Sequence, residues 1–185
     1  MNLRPYCVGA ILLFLGCQPA RQEAPQEPVE AAAADPIARG EYLVTVLACG
    51  ECHTPFKIGP AGPEPDLTRM LSGHPEGMTM PPVPALPEPW LWAGAATNTA
   101  FAGPWGVSYA TNLTPEEVTG MGIWTEEMLV KALRTGRHMG TSRPIVPPMP
   151  WPAYSKLTDE DLKAVYAYLR SIPPIRNQAP DYQEP

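Results

Sequence analysis

Five consecutive residues concentrate most of the chemistry open to this chain: Cys49-Gly50-Glu51-Cys52-His53. Two thiols separated by two residues, with a histidine directly after them, are the attachment pattern of c-type haem. Within one helical turn both sulfurs can add across the two vinyl groups on one edge of a porphyrin, and His53 then presents its imidazole to the iron. Two other chemistries use a Cys-x-x-Cys pair. Structural zinc requires a second pair of ligands, and the remaining histidines, His74 and His138, each stand without a further cysteine nearby. A thioredoxin-like dithiol has no use for His53 and belongs in a βαβ pattern that the chain lacks.

Helical elements must position these residues. Ile37 to Ala48 reads as a helix that begins after Pro36, carries Ile37, Leu43, Val44 and Leu47 toward one side, and feeds directly into Cys49. Gly40 lies inside it at a cost in stability, which a close helix crossing would explain. A second helix is expected from Thr125, its N-cap, to Thr135, with Gly136 as its stop and Met128, Leu129, Ala132 and Leu133 on its apolar face. A third starts at the Thr158 cap, has Asp159, Glu160 and Asp161 in its first turn, and ends near Arg170 before Pro173-Pro174. Thr114-Pro115-Glu116-Glu117 carries a further helix-start signal. Arg134, Arg137 and Arg143 gather near the end of the middle helix, where cations complement the helix dipole.

The 26 prolines and 15 glycines among 185 residues make the chain loop-rich, so a bound porphyrin would supply apolar core that regular elements do not. Residues 68–112 form a long insertion containing Trp90, Trp92, Phe101, Trp105 and Tyr109. A loop of this length implies function or structure of its own. Extended pieces around Trp90–Ala96 and Gly106–Thr111 are expected to pair as a small hairpin, its aromatics serving as filler under the loop, with His74 on the surface. A net charge of −6 excludes nucleic acid as a natural partner.

The N-terminus reads as an export signal over residues 1–16, with Arg4 before an apolar run from Val8 to Leu15 that is too short to span a bilayer. Leu15-Gly16-Cys17 resembles the lipobox of bacterial lipoproteins, with Phe14 where leucine is usual, so Cys17 is expected to be acylated, the alternatives being an ordinary cleaved signal or an uncleaved N-terminal anchor. The four cysteines are then accounted for: Cys7 leaves with the signal, Cys17 takes lipid, and Cys49 and Cys52 take haem. Residues 17–35, rich in Pro, Glu, Gln and Ala without an aromatic, read as a lipidated cysteine and flexible linker that could reach roughly 55 Å when extended. Residues 177–185 read as a polar tail.

Residues 36–176 resemble a class I monohaem cytochrome c, in particular the bacterial cytochrome c domains of membrane dehydrogenases and of alternative complex III-type respiratory complexes. The resemblance rests on Cys49-x-x-Cys52-His53, on the glycine-bearing first helix with an aromatic (Tyr166 or Tyr168) on the last, on the stretch from Asn112 to Trp124, and on Pro147-Pro148-Met149-Pro150. It implies a mainly α fold, a few helices wrapped around one covalent haem c. It also implies that Pro65 offers its carbonyl to the other nitrogen of His53 and that Leu67 packs on the porphyrin. Met149, stiffened by neighbouring prolines, is the expected sixth ligand, with His138, His74 and Met139 as alternatives. The implied function is one-electron transfer, not catalysis. Its setting would be the outer, periplasmic face of a bacterial membrane, where a lipid-tethered carrier exchanges electrons with a respiratory complex or a periplasmic dehydrogenase. The competing class is a haem enzyme or a gas or redox sensor with a displaceable sixth ligand.

Overall fold

The computed structural model describes residues 35–83 and 85–185. The export signal, Cys17 and nearly all of the linker lie outside the described residues. Asp35 caps the first helix, α1 (Pro36–Val46), its carboxylate accepting from the Ile37 N–H at 3.0 Å. The helix stops two residues earlier than its apolar spacing suggests, because Ala48 turns into the left-handed region with φ 57°. That conformation costs a non-glycine residue about 1 kcal/mol. It separates α1 from the one-turn helix α2 (Cys49–His53) that carries the motif.

The chain then makes a tight antiparallel hairpin of β1 (Phe56–Gly59) and β2 (Gly62–Pro65), paired from Phe56 with Pro65 to Gly59 with Gly62. Prolines at positions 63 and 65 hide this strand from pattern reading. A second sheet has β4 (Ala100–Gly103) in the middle, flanked by β3 (Ala93–Gly94) and β5 (Gly106–Tyr109). The two extended pieces expected to pair with each other are therefore not neighbours. Each pairs with β4, whose Ala100, Phe101 and Ala102 lie buried between them.

Three more helices complete the frame: α3 (Glu126–Thr135), the short α4 (Trp151–Tyr154) and α5 (Asp159–Ser171). Thr125 and Thr158 cap α3 and α5 through their hydroxyls, and Gly136 ends α3 in the left-handed conformation with φ 65°. The helix-start signal at Thr114-Pro115 instead makes a turn. The Glu116 carboxylate accepts from the N–H groups of Val118 and Thr119 and from the Thr119 hydroxyl, which uses up the donors a helix would employ. These bonds also hold the Glu116 carboxyl below its usual pKa.

The main core lies where α1 crosses α5 and α3 packs beside them: Leu43, Val44, Met121, Leu129, Leu133, Leu162, Val165 and Leu169 are all buried. Gly40 sits at the crossing. A Cβ there would stand 2.0 Å from the Ala164 carbonyl oxygen and 2.7 Å from the Cβ of Tyr168, which is the aromatic that meets α1. Tyr166 turns away, donating its hydroxyl to the Trp124 carbonyl at 2.9 Å. The Arg39–Asp161 ion pair closes the open end of the crossing, but Arg39 is half exposed and the pair contributes little.

After α5 the chain does not end as a loose tail. Asn177 is 1 % exposed, and its side chain donates to the Ser72 and His74 carbonyls while accepting from Arg69 and the Glu76 N–H. The residues that follow pair with β5 through Val107 and Gln183. Among the described residues, no helix is long and apolar enough to cross a membrane.

Because backbone atoms, not a flexible side chain, block the space at Gly40, Gly40→Ala should cost about 3 kcal/mol of stability. Urea denaturation followed by circular dichroism should register the loss, whereas Gly50→Ala, whose Cβ would meet only the Thr54 hydroxyl at an ordinary 3.6 Å, should change little.

Candidate functional site

The motif opens onto a cavity of about 400 Å³, within the range of small-molecule and cofactor sites. Cys49, Cys52, His53 and Met149 all line it. α2 places the first three on one turn, and the segment just before α4 brings Met149 to the same space. Pro65 and Leu67 do not reach it. The β1–β2 hairpin carries Pro65 away to a strand end paired with Phe56, and Leu67 follows it to a position 73 % exposed.

The acceptor for His53 is instead the Thr111 carbonyl, 2.8 Å from Nδ1. A carbonyl oxygen can only accept, so Nδ1 carries the proton and Nε2 keeps its lone pair for a metal. Burial pushes the imidazole pKa below its ordinary value, and the Thr111 bond opposes this only in part, so the ring is neutral. A neutral imidazole oriented by a second bond is what a histidine ligand requires.

Three segments build that bond side by side. The His53 carbonyl accepts from the Gly73 N–H at 2.7 Å, and the Thr54 hydroxyl accepts from the Leu71 N–H at 3.0 Å. Residues 71–74 then run against 110–113: Leu113 N–H donates to the Leu71 carbonyl, and His74 N–H donates to the Ala110 carbonyl. Gly73 adopts φ 81°, and a Cβ there would come within 2.5 Å of the Ala110 oxygen and 2.6 Å of the Thr111 carbonyl carbon. Only glycine lets these backbones approach closely enough to aim Thr111 at His53.

His74, expected on the surface, is fully buried between these segments, with Nδ1 2.9 Å from the Thr99 hydroxyl and its ring edge-on to Tyr109. It is not among the residues on the cavity wall. His138 and Met139 are on that wall, as is Met121, which is 3 % exposed. His138 packs edge-on against Trp124 with ring centroids 4.9 Å apart. Of the insertion's aromatics, Phe101 and Tyr109 line the cavity and are not mere filler. Trp90 and Trp92 form an exposed apolar shelf that shares no residue with it. The segment after Asn177 supplies another part of the wall, from Gln178 to Tyr182.

The competing chemistries of Cys-x-x-Cys can now be weighed on geometry. Among the described residues, no group of three or more His, Cys, Asp and Glu side chains converges as a zinc site would need. Burial pushes the Cys49 thiol up to about 11, and burial followed by the Glu51 charge raises Cys52. A redox-active dithiol needs the opposite shift. An apolar cavity with two protonated thiols and an oriented neutral imidazole on its wall fits a covalently held porphyrin.

Comparison with known proteins agrees with that fit. The chain is 32% identical over 177 residues to the fructose dehydrogenase cytochrome subunit of Gluconobacter japonicus, covering 95% of this chain and 29% of that subunit. It is 31% identical over 153 residues to the cytochrome c subunit of the quinone alcohol dehydrogenase of Gluconobacter oxydans, covering 80% of this chain and 24% of that subunit. The gluconate 2-dehydrogenase cytochrome c subunit of Pantoea cypripedii is 28% identical over 150 residues, with 80% and 26% covered. The chain is a homologue of dehydrogenase cytochrome c subunits. It spans less than a third of the length of these relatives. No protein-family model matches it.

Within this homologue the Thr111 acceptor was missed at the sequence level, because a backbone carbonyl has no residue-type signature. The usable signal was the stretch beginning at Asn112, whose side chain organises the turn that follows by accepting from the Thr114 N–H and hydroxyl. Gly73→Ala should push the 110–111 backbone away from His53. The expected result is a loss of about 3 kcal/mol in urea denaturation, and broadening of the His53 Nδ1 proton resonance, which the bond to Thr111 should keep slowly exchanging in the wild type.

Proposed function

We propose that the chain is a one-electron carrier with the class I cytochrome c fold, holding one haem c through Cys49 and Cys52 with His53 and Met149 as axial ligands. The observation that carries this reading is the His53 imidazole, buried, neutral and tied through Nδ1 to Thr111, in the same cavity as both thiols. When bound, haem c supplies a one-electron couple whose potential depends on the axial ligands over a span of ~0.8 V.

The chain's own residues do the rest. Cys49 and Cys52 would fix the group by thioether bonds, and His53 keeps the Nε2 lone pair available for the metal. Met149 is favoured over Met121 and Met139 because Pro148 and Pro150 stiffen its backbone and α4 begins directly after Pro150. Met121 is built into the helical core, its N–H donating to Thr114 and its carbonyl accepting from Arg170. Arg143 brings a cation to the wall, suited to a propionate. With His53 and Met149 both holding the iron, no coordination site would be left for a substrate, and electrons would exchange through the exposed part of the cavity. Its rim there includes Val118 and Ile123, both largely exposed.

The relatives' names support a dehydrogenase as the partner, with a respiratory complex as the second candidate. Acylation of Cys17 would tether the carrier to the outer face of a bacterial membrane, within the reach of the 17–35 linker.

Haem should remain with the polypeptide through denaturation and acid–acetone extraction, and should be lost from a chain with both Cys49→Ala and Cys52→Ala. Extractable haem in the wild type would refute covalent attachment. Met149→Ala should abolish the ferric sulfur-to-iron charge-transfer band, admit carbon monoxide in the reduced state, and lower the potential by on the order of 0.1 V within the span that axial ligands control. Ready carbon monoxide binding by the wild type would favour the enzyme or sensor class instead.

Anchoring is tested separately. Each buried lipid methylene contributes ~0.8 kcal/mol, and stable attachment takes more than one chain. Cys17→Ser should therefore release the protein into the soluble fraction or stop its maturation. A variant that stays membrane-bound and normally processed would exclude lipidation as the anchor.

A further inference from the structure

The two halves of the site come from distant parts of the chain, and one side chain joins them. α4 follows the Met149 loop directly, and its last residue, Tyr154, lies on the cavity wall. The Tyr154 hydroxyl donates to the Leu47 carbonyl at 2.6 Å, across 107 residues. Leu47 is the C-terminal cap of α1, so its carbonyl has no helical donor of its own. The next residue is the left-handed Ala48, and the one after that is Cys49. The bond therefore holds a strained turn on the cysteine side and the start of the methionine segment's helix on the other.

We propose that Tyr154 is a positioning residue that clamps the Met149 segment to the haem-attaching turn, so that the methionine stays close to the iron and resists displacement. The proposal rests on Met149 being the sixth ligand. The donor is not lost over the working pH range, because burial pushes the Tyr154 hydroxyl up to about 12 and keeps it protonated. Its geometry is favourable on both sides. The covalent attachment fixes the Cys49 end, and the short rigid α4, with Pro152 in its first turn, transmits the restraint to Met149 with little slack. Without the hydroxyl, the loop would still be held by its prolines, by the Ser108 hydroxyl donating to the Pro147 carbonyl at 2.8 Å, and by packing of Trp151 against Gly136.

The test uses the ferric holoprotein and added imidazole, an exogenous ligand that competes with methionine for the iron. Tyr154→Phe removes one oxygen and keeps the ring. It should still carry covalent haem, yet be converted to the imidazole-bound form at about tenfold lower imidazole concentration, the effect of losing one buried hydrogen bond. Its charge-transfer band should weaken and its potential should fall. In a Met149→Ala background the same change should leave imidazole affinity unaltered, which separates clamping of the ligand from general loosening of the fold.

4-Aminophenylalanine at position 154 keeps a weaker donor and should fall between wild type and Phe; it also serves if the Phe variant does not mature. A Tyr154→Phe protein with wild-type imidazole titration and potential overturns the clamp while leaving Met149 as ligand. An equal shift in the Met149→Ala background also overturns it. A Met149→Ala protein that retains the charge-transfer band overturns both the clamp and the ligand assignment.

Discussion

The hydrogen bond from His53 Nδ1 to the Thr111 carbonyl is the constraint around which this structure is arranged. It selects one tautomer of a buried imidazole, fixes the plane of the ring, and leaves the other nitrogen for a metal. Meeting it requires three backbone segments to lie side by side: the end of α2, residues 71–74 and residues 110–113. The long excursion between positions 74 and 110 has to return to that register. The three-stranded sheet and the buried His74–Thr99 contact make the return path rigid.

Few of the described residues lie in long helices, so side-chain hubs replace backbone ladders in holding loops to the frame. Asn112 and Asn177 are the clearest cases. Each satisfies backbone groups from two or three separate segments, and both are buried, so none of those groups is left without a partner. The same device appears at Arg134, which donates to the Ser155 carbonyl and to Asp159 and so fastens the α4–α5 turn to α3. The α1–α5 crossing at Gly40 gives these hubs a stiff base, since backbone packs directly on backbone there.

The insertion divides by role. Phe101 and Tyr109 belong to the cavity wall, while Trp90 and Trp92 stand on an exposed shelf outside it. One stretch of sequence thus supplies both part of the site's apolar lining and a separate surface. The covering of the site also draws on the segment after Asn177, where Gln178 to Tyr182 line the cavity and Gln183 pairs with Val107 of β5.

The sequence by itself determined the one-turn Cys49–His53 helix, the capped helices α3 and α5, the glycine at the helix crossing and the placing of Met149 among prolines. Each is a local signal: a fixed spacing, a capping hydroxyl or a residue type with restricted φ. Pro65 as the acceptor for His53 failed because a hairpin built on prolines diverts the chain immediately after the motif. Thr114-Pro115 failed as a helix start because Glu116 captured the local donors for a turn. Which carbonyl faces His53, which aromatics line the cavity, how the last residues close over it and that Tyr154 reaches Leu47 were decided only by tertiary structure. All four depend on contacts between residues far apart in the chain, and a backbone carbonyl or a shared wall leaves no mark on the order of side chains.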